Sequence, residues 1–183
     1  MLIMKDSHII RAAEAQDAEI LTKWWNDGKI MAHAGFPKGL NQKIEQTLEQ
    51  IEQNHQGLSK RCILEIQNKP IGECNFRIFD HSAEIGIKIC DETYQNQGHG
   101  TTFLKMLMHY LFTDETLNKA HRIDQIFLDT NLNNTRAQHV YEKLGFTKLR
   151  VNIDTWKDQL GNNQSSVDYE IQKKTYLDSN KSE

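Results

Sequence analysis

The residues best suited to chemistry in this chain concentrate at 95–101, which read Q-N-Q-G-H-G-T. Gly98 and Gly100 lie between a strand-like run ending at Cys90 and a long apolar helix expected to begin near the second glycine. Backbone N–H groups at a helix N-terminus attract anions, and glycine lets a phosphate approach the backbone closely. Thr101 adds a hydroxyl in the first turn. The stretch therefore predicts a site for a pyrophosphate.

Two common phosphate-binding motifs do not fit this stretch. A dinucleotide-binding fold requires G-x-G-x-x-G after an early strand, and Phe103 stands where the third glycine belongs. A P-loop requires lysine and then serine or threonine after its second glycine, but Thr101 and Thr102 follow Gly100. Both nucleotide-binding classes are set aside.

A second group of residues follows in N-T-R-A-Q-H-V-Y-E-K-L-G-F, from Asn134 to Phe146. Asn134 is a suitable helix N-cap, and Gly145 is a natural helix-terminating glycine. Tyr141 comes two helical turns after the cap, on roughly the same face. We expect the cap and the tyrosine to face one site.

The elements that must position these residues alternate along the chain. The predicted order is a strand at 9–12, helices at 15–26 and 42–55, strands at 61–67, 71–79 and 83–90, a helix from about 100, a strand at 123–130, a helix at 135–144, and strands at 148–156 and 166–172. Short turns between the three central strands favour an antiparallel meander. The layout predicts one α+β domain over 1–183, with a mixed, mostly antiparallel central sheet flanked by about four helices. Residues 177–183 are expected to be a frayed tail.

Composition narrows the class of partner. The chain has 183 residues, with 38% apolar and 26% charged side chains, as in soluble globular proteins. A formal net charge of -3, from 22 basic and 25 acidic residues, gives no electrostatic reason to expect nucleic acid or a membrane surface as partner. No signal peptide or membrane-spanning segment is visible. Neither the acceptor nor the oligomeric state can be read from these features.

Cysteine and histidine usage points away from metal and disulfide chemistry. The three cysteines are odd in number and lie in separate strand-like runs, which favours a reducing cytoplasm. The eight histidines lack the close pairing of H-x-x-x-H or H-E-x-x-H sites, so no metal is expected. Trp24 and Trp25 fit helix packing better than an aromatic cation box.

Together, Q-N-Q-G-H-G-T and the segment from Asn134 to Phe146 resemble the GNAT superfamily of acetyl-coenzyme A-dependent N-acetyltransferases. Gln95, Gly98 and Gly100 match the family's pyrophosphate loop, and the order of elements matches over nearly the whole chain. The early W-W-N-D and late V-D-Y-E-I are similar to the branch containing ribosomal-protein N-terminal and antibiotic acetyltransferases. The resemblance implies a GNAT-like fold and direct transfer of acetyl from acetyl-coenzyme A to an amine.

The resemblance also implies roles for individual residues. Tyr141 would face the thioester sulfur and protonate the departing thiolate. The cofactor-binding residues would be Ile89 and Cys90 beside the pantetheine arm, Gln95, Asn96, Gln97, Gly98, His99, Gly100 and Thr101 around the pyrophosphate, and Asn134 against the arm.

Attack by an amine requires loss of a proton, since primary amines with pKa values of about 8 to 10 are mostly protonated at neutral pH. Glu84 resembles the base carboxylate of histone-type members by its place on the strand before the loop. Glu73 on the neighbouring strand is the rival, and a water chain to solvent is a third route. Cys90 could suggest an acyl-cysteine route, but no activating partner is evident.

Two classes of function are compatible with the glycine loop. An N-acetyltransferase would use Tyr141 and Glu84 to handle protons, whereas a non-catalytic acyl-coenzyme A sensor would need only the loop. The presence of both side chains favours the enzyme. The acceptor is left open among a peptide N-terminus, an aminoglycoside, a polyamine and another small amine.

Overall fold

One eight-stranded sheet organises the computed structural model, which describes residues 1–55 and 58–180. The strand order is β1-β2-β3-β4-β5-β6-β8-β7, and only the β5–β6 pair is parallel. The strands are β1 Leu2–Lys5, β2 His8–Ala12, β3 Ser59–Ile66, β4 Lys69–Phe79, β5 Ser82–Ile89, β6 Gln125–Asn131, β7 Thr147–Lys157 and β8 Asn163–Gln172. The predicted α+β class, central meander and final hairpin are confirmed.

Helices cover both faces of this sheet. They are α1 Ala18–Trp25, α2 Gly28–Met31, α3 Ile44–His55, α4 His99–Thr113, α5 Glu115–His121, α6 Thr135–Lys143 and α7 Lys173–Asn180. Helix α4 packs Phe103, Leu107 and Leu111 into the larger core cluster, which also holds Tyr141 of α6. Helices α1 to α3 pack on the opposite face, where Trp24 and Trp25 join Ile51 and Ile63 in the second cluster. The two tryptophans are therefore core residues, as expected.

The described residues contain seven helices rather than about four, because α2, α5 and α7 were not predicted. The fraying expected from residue 177 is wrong for 177–180, which belong to α7. Tyr176 is 8% exposed and its ring lies 5.2 Å from that of Phe112, while Leu177 packs against the main core. These contacts hold the helix on the sheet. Residues 181–183 lie outside the described residues.

Strand β1 was also missed, because it is only four residues long and its apolar residues Leu2, Ile3 and Met4 do not alternate with polar ones. It extends the sheet by pairing antiparallel with β2. Within the ranges described, no helix is both long and apolar enough to span a membrane.

The feature that creates the site is the divergence of β5 and β6. These parallel strands pair over three positions, from Ser82 with Gln125 to Glu84 with Phe127. Both continue, β5 to Ile89 and β6 to Asn131, without further pairing to each other. The opening lies between the α4 face and the α1–α3 face, so it can admit molecules from both sides of the sheet.

Candidate functional site

Two cavities meet at the opening between β5 and β6. The loop cavity, about 550 Å³, lies against residues 94–101 and helix α6. The strand cavity, about 470 Å³, lies against β3 to β6 and Trp156 of β7. Their linings share Lys88, Asn134 and Tyr141. The arrangement suits two substrates that meet at one reacting centre.

The loop cavity brings together most of the residues predicted to bind cofactor. Those that line it are Ile89, Gln95, Asn96, Gly98, His99, Gly100, Thr101 and Asn134. Gly98 is the N-cap of α4 in a left-handed conformation (φ 83°), and a Cβ added there would meet nothing within 4 Å. Open space therefore lies beside the first-turn amides of a 15-residue helix. Lys29 and Arg136 add positive charge to the lining.

Side chains fix the loop in this position. Gln95 donates from Nε2 to the carbonyl oxygen of Ile89 at 2.9 Å, which ties the loop to the end of β5. His99 lies 3.0 Å from His8 of β2 between ring nitrogens, and burial together with the charge of His99 lowers the pKa of His8. The loop is thus anchored to both the centre and the side of the sheet.

Two residues predicted to bind cofactor do not line the cavity. Cys90 is 4% exposed, and its backbone N–H donates to the carbonyl oxygen of Ile71 at 2.8 Å. Gln97 directs its amide to the carbonyl oxygen of Thr93 within the loop. Burial raises the pKa of the Cys90 thiol strongly, which disfavours a thiolate nucleophile.

Helix α6 positions Asn134 and Tyr141 as the sequence predicted. Asn134 is the N-cap and accepts from the backbone N–H of Ala137 at 3.2 Å. Gly145 follows the helix with φ 90°. Tyr141 is 8% exposed and contributes to the lining of both cavities. Burial, followed by the charge of Asp129, raises the pKa of Tyr141 to about 12, so its phenol is protonated at neutral pH.

Glu84 is not brought into either cavity. It occupies the last position of β5 that pairs with β6, and it lines neither cavity. Its carboxylate forms a 2.7 Å ion pair with Arg77. This pair lies on the surface, with side-chain exposures of 64% for Arg77 and 45% for Glu84. The predicted base is therefore engaged outside the two cavities.

Glu73 lines the strand cavity, but both of its oxygens already accept hydrogen bonds. Trp25 donates to Oε1 at 2.8 Å and Arg61 to Oε2 at 2.7 Å. The ammonium of Lys88 lies 3.8 Å from Oε1. Glu73 is 4% exposed, so these groups neutralise a buried carboxylate.

Asp129 is the site carboxylate that the sequence interpretation missed. It lies on β6 where that strand has diverged from β5, lines the strand cavity and keeps access to solvent. Among the described residues it forms no ion pair with a cation, unlike Glu73 and Glu84. Desolvation, and then the charges of Asp168 and Glu84, raise the pKa of Asp129. A raised pKa makes this carboxylate a better proton acceptor than an ordinary aspartate.

The outer wall of the strand cavity is built by contacts between distant segments. Gly35 packs against the ring of Trp156, so closely that an added Cβ would lie 2.3 Å from it. The side chain of Gln159 accepts from the backbone N–H of Lys38 at 2.9 Å and donates to the carbonyl oxygen of Gly39 at 3.0 Å. The β7–β8 turn therefore holds the loop at 35–39 in place.

Residues 1–55 and 58–180 contain no group of three or more histidine, cysteine or acidic side chains that could hold a metal ion. The groups that line the two cavities are backbone amides, the phenols of Tyr94 and Tyr141, carboxylates and cationic side chains.

Solved acetyltransferase structures share this architecture. A spermidine N-acetyltransferase from Vibrio cholerae, in complex with coenzyme A and spermine, superimposes with a TM-score of 0.81 at 22% identity, covering 94% of this chain and 99% of that one. A ribosomal L7/L12 alpha-N-protein acetyltransferase in complex with coenzyme A gives 0.80 at 19% identity, covering 94% and 98%. A GNAT-family acetyltransferase from Bacillus anthracis gives 0.76 at 22% identity, covering 95% and 99%. At these identities the likeness shows a common fold.

Sequence similarity identifies the family of this chain. The model of the acetyltransferase (GNAT) domain matches residues 8–147, from the first residue of β2 to the first of β7. The matched region includes the glycine loop, the diverging strands and Tyr141. The chain belongs to the GNAT acetyltransferase family.

Proposed function

We propose that this protein transfers the acetyl group of acetyl-coenzyme A directly to a primary amine. The observation that carries the proposal is that Tyr141 belongs to both cavities, so a thioester entering from the loop cavity and an amine entering from the strand cavity would meet beside its hydroxyl. The match to the GNAT acetyltransferase domain and the coenzyme A complexes of two structural neighbours support the donor.

The loop cavity fits the donor. Acetyl-coenzyme A carries a pyrophosphate, and Gly98 leaves room for it at the N-terminus of α4. Lys29 and Arg136 would balance its negative charge. The end of β5 is still paired with β4 but no longer with β6, so its free edge would offer backbone groups near Ile89 to the pantetheine arm. Asn134 would face the arm from α6.

The amine reacts after it loses its proton. Its nitrogen attacks the thioester carbonyl carbon, a C–N bond forms, and the C–S bond breaks. Asp129 is the carboxylate we assign to receive the amine's proton, because it lines the strand cavity without a cationic partner. Glu84 remains a second candidate, acting through water, since it is near enough for its charge to raise the pKa of Asp129.

Tyr141 stabilises the sulfur that leaves. With a pKa of about 12, above the value of about 8.5 for a thiol, its proton is not transferred completely to the thiolate. The phenol instead donates a hydrogen bond to the developing negative charge, and solvent supplies the final proton. This role differs from the full proton transfer expected from the sequence.

The compartment we propose is the cytoplasm. The three cysteines are unpaired and buried, as suits a protein kept under reducing conditions.

A thiol-release assay tests the proposal. The protein is incubated with acetyl-coenzyme A and a panel of peptides, aminoglycosides, polyamines and amino acids, and the acetylated product is identified by mass spectrometry. Amine-dependent thiol release with an N-acetyl product is expected. Tight binding of acetyl-coenzyme A without release for any amine would instead indicate a non-catalytic sensor.

A further inference from the structure

The strand cavity has charges of opposite sign on its two strand walls. Its charged lining consists of Arg61, Glu73 and Lys88 on β3 to β5, with Asp129 on β6 and His33 at the edge of α2. Arg61, Lys88 and the carboxylate of Glu73 between them form what we call the cationic trio, named for its net charge. The acceptor must therefore satisfy two different electrostatic environments.

The cationic trio has an excess of positive charge. Cross-strand pairing places Glu73 opposite Lys88. The guanidinium of Arg61 lies 2.7 Å from Oε2 of Glu73, and the ammonium of Lys88 lies 3.8 Å from Oε1. Two cations around one carboxylate leave one net positive charge. The side chain of Lys88 is 29% exposed. Its ammonium donates to the thioether sulfur of Met31 at 3.0 Å, which is a weak acceptor, so Lys88 retains capacity for an anion.

The opposite wall carries a single unpaired negative charge. Asp129 forms no ion pair with another residue of the described ranges, and its neighbours Asp168 and Glu84 are held by Arg150 and Arg77. The attraction of an ammonium to the Asp129 carboxylate would oppose the desolvation and the like-charge repulsion that raise the pKa of Asp129. This wall therefore suits the amine.

A polyamine does not match this pattern, because its additional ammonium groups would face the cationic trio. A peptide N-terminus supplies the amine but has an uncharged amide where a carboxylate is needed. A cavity of about 470 Å³, closed on one side by Trp156 and the clamped loop at 35–39, is in the range for small molecules.

We infer that the acceptor is an α-amino acid or a close relative, with its amine facing Asp129 and its carboxylate facing Lys88 and Arg61. The inference rests on the proposed acetyl transfer to an amine. Ile30 and Trp156, which also line the strand cavity, provide apolar surface for the amino acid side chain.

Matched acceptors test this directly. Thiol release is measured at saturating acetyl-coenzyme A with the common α-amino acids, the carboxamide of each, a dipeptide and spermidine. The best amino acid is expected to exceed its own carboxamide at least tenfold in kcat/KM. A carboxamide, dipeptide or spermidine that equals or exceeds the best amino acid overturns the inference.

Removing the charge of Lys88 tests whether this residue causes the preference for an acceptor with a carboxylate. Lys88→Met is expected to lower kcat/KM for the amino acid at least tenfold more than kcat/KM for its carboxamide. Lys119→Met, which removes an exposed cation of α5 outside both cavities, serves as the matched control. Equal losses for both acceptors would overturn the assignment to Lys88, and Lys88→Gln repeats the comparison if the methionine variant does not fold.

Acetyl transfer and acceptor preference can be separated by these measurements. Turnover of amines without preference for a carboxylate rejects the amino acid acceptor but leaves acetyl transfer intact. Acetyl-coenzyme A binding with no turnover of any acceptor rejects the proposed function and this inference with it.

Discussion

The hydroxyl of Tyr141 makes no hydrogen bond to another described residue, although its side chain is only 8% exposed. The ring is held by Phe146 at 6.0 Å and Tyr169 at 5.7 Å between centroids. An oriented donor without a protein partner is available to a substrate, and here that substrate is the departing sulfur.

Replacing Tyr141 with phenylalanine removes the donor and preserves the ring packing. We expect kcat to fall roughly 10- to 1,000-fold, with little change in affinity for acetyl-coenzyme A. Steady-state kinetics and calorimetry measure the two quantities. An unchanged kcat would make the tyrosine a packing residue.

Asp129→Asn removes the proposed base while keeping its shape. At neutral pH we expect kcat to fall roughly 100-fold or more. The rate should recover as the pH approaches the pKa of the acceptor amine, because unprotonated amine needs no base. Glu84→Gln is the matched comparison and should lose much less. A larger loss in Glu84→Gln than in Asp129→Asn would make Glu84 the base. If both variants have pH profiles parallel to that of wild type, neither carboxylate is the base.

The stability of Asp129→Asn provides an independent check. Because the folded state raises the pKa of this carboxyl, folded protein binds the proton more tightly than unfolded chain, and stability falls as pH rises from the ordinary aspartate pKa through the raised value. Removing the charge removes this penalty. The Tm of Asp129→Asn at neutral pH should therefore equal or exceed that of wild type, and a clear decrease would show that the carboxylate is structural.

The sequence indicated the glycine loop, Asn134 and Tyr141 because each combines a residue type with a local position, such as a helix cap. It could not identify Asp129, whose importance depends on where β6 leaves β5. Nor could it show that Glu84 is paired with Arg77 and that Glu73 is already engaged by Arg61 and Trp25. Those facts depend on contacts between strands.

The N-terminus of α4 provides a specific test of anion binding. Gly98 and Gly161 both adopt left-handed backbone conformations, with φ of 83° and 85°, and an added Cβ at either meets nothing within 4 Å. Gly98 lies in the loop cavity, whereas Gly161 lies in the β7–β8 turn outside both cavities.

Alanine at either glycine should cost a similar stability of about 1 kcal/mol, since both positions disfavour a side chain. Only Gly98→Ala should also place a methyl group where the pyrophosphate binds. We expect it to weaken acetyl-coenzyme A at least tenfold, and Gly161→Ala to leave the affinity unchanged. Equal affinities in calorimetry for the two folded variants would contradict this site.

The clamp between the β7–β8 turn and the loop at 35–39 makes a second prediction about elements. Gln159→Ala removes the two side-chain hydrogen bonds, each worth about 1 kcal/mol, and keeps the bond from the backbone N–H of residue 159 to Gly35, so it loosens the acceptor wall. The KM of the acceptor should rise several-fold while acetyl-coenzyme A affinity is unchanged. Gln172→Ala, which removes a bond to Gln125 at the far end of β8, is the control, and equal effects on KM would contradict a specific clamp.

Most long elements were predictable from hydrophobic periodicity, and α4 is clearest because apolar residues fill its sequence. The missed elements are short, and each depends on tertiary contacts. Helix α7 is held by Tyr176 against Phe112, and β1 by pairing with β2. Local sequence carries little of that information.

Across the protein as a whole, the divergence of β5 from β6 leaves two adjoining cavities whose linings share Lys88, Asn134 and Tyr141. A donor and an acceptor can then occupy the protein together and react without a covalent enzyme intermediate. The buried Cys90, whose thiol pKa is raised by burial, offers no practical alternative nucleophile. We therefore expect acetyl-coenzyme A and the acceptor amine to be bound together when the acetyl group is transferred.

Initial-rate kinetics with both substrates varied test that claim most directly. Double-reciprocal plots at several acceptor concentrations should give intersecting lines, as expected for a ternary complex, and free thiol should form only when acceptor is present. Parallel lines, with release of thiol and retention of acetyl on the protein before acceptor is added, would contradict direct transfer.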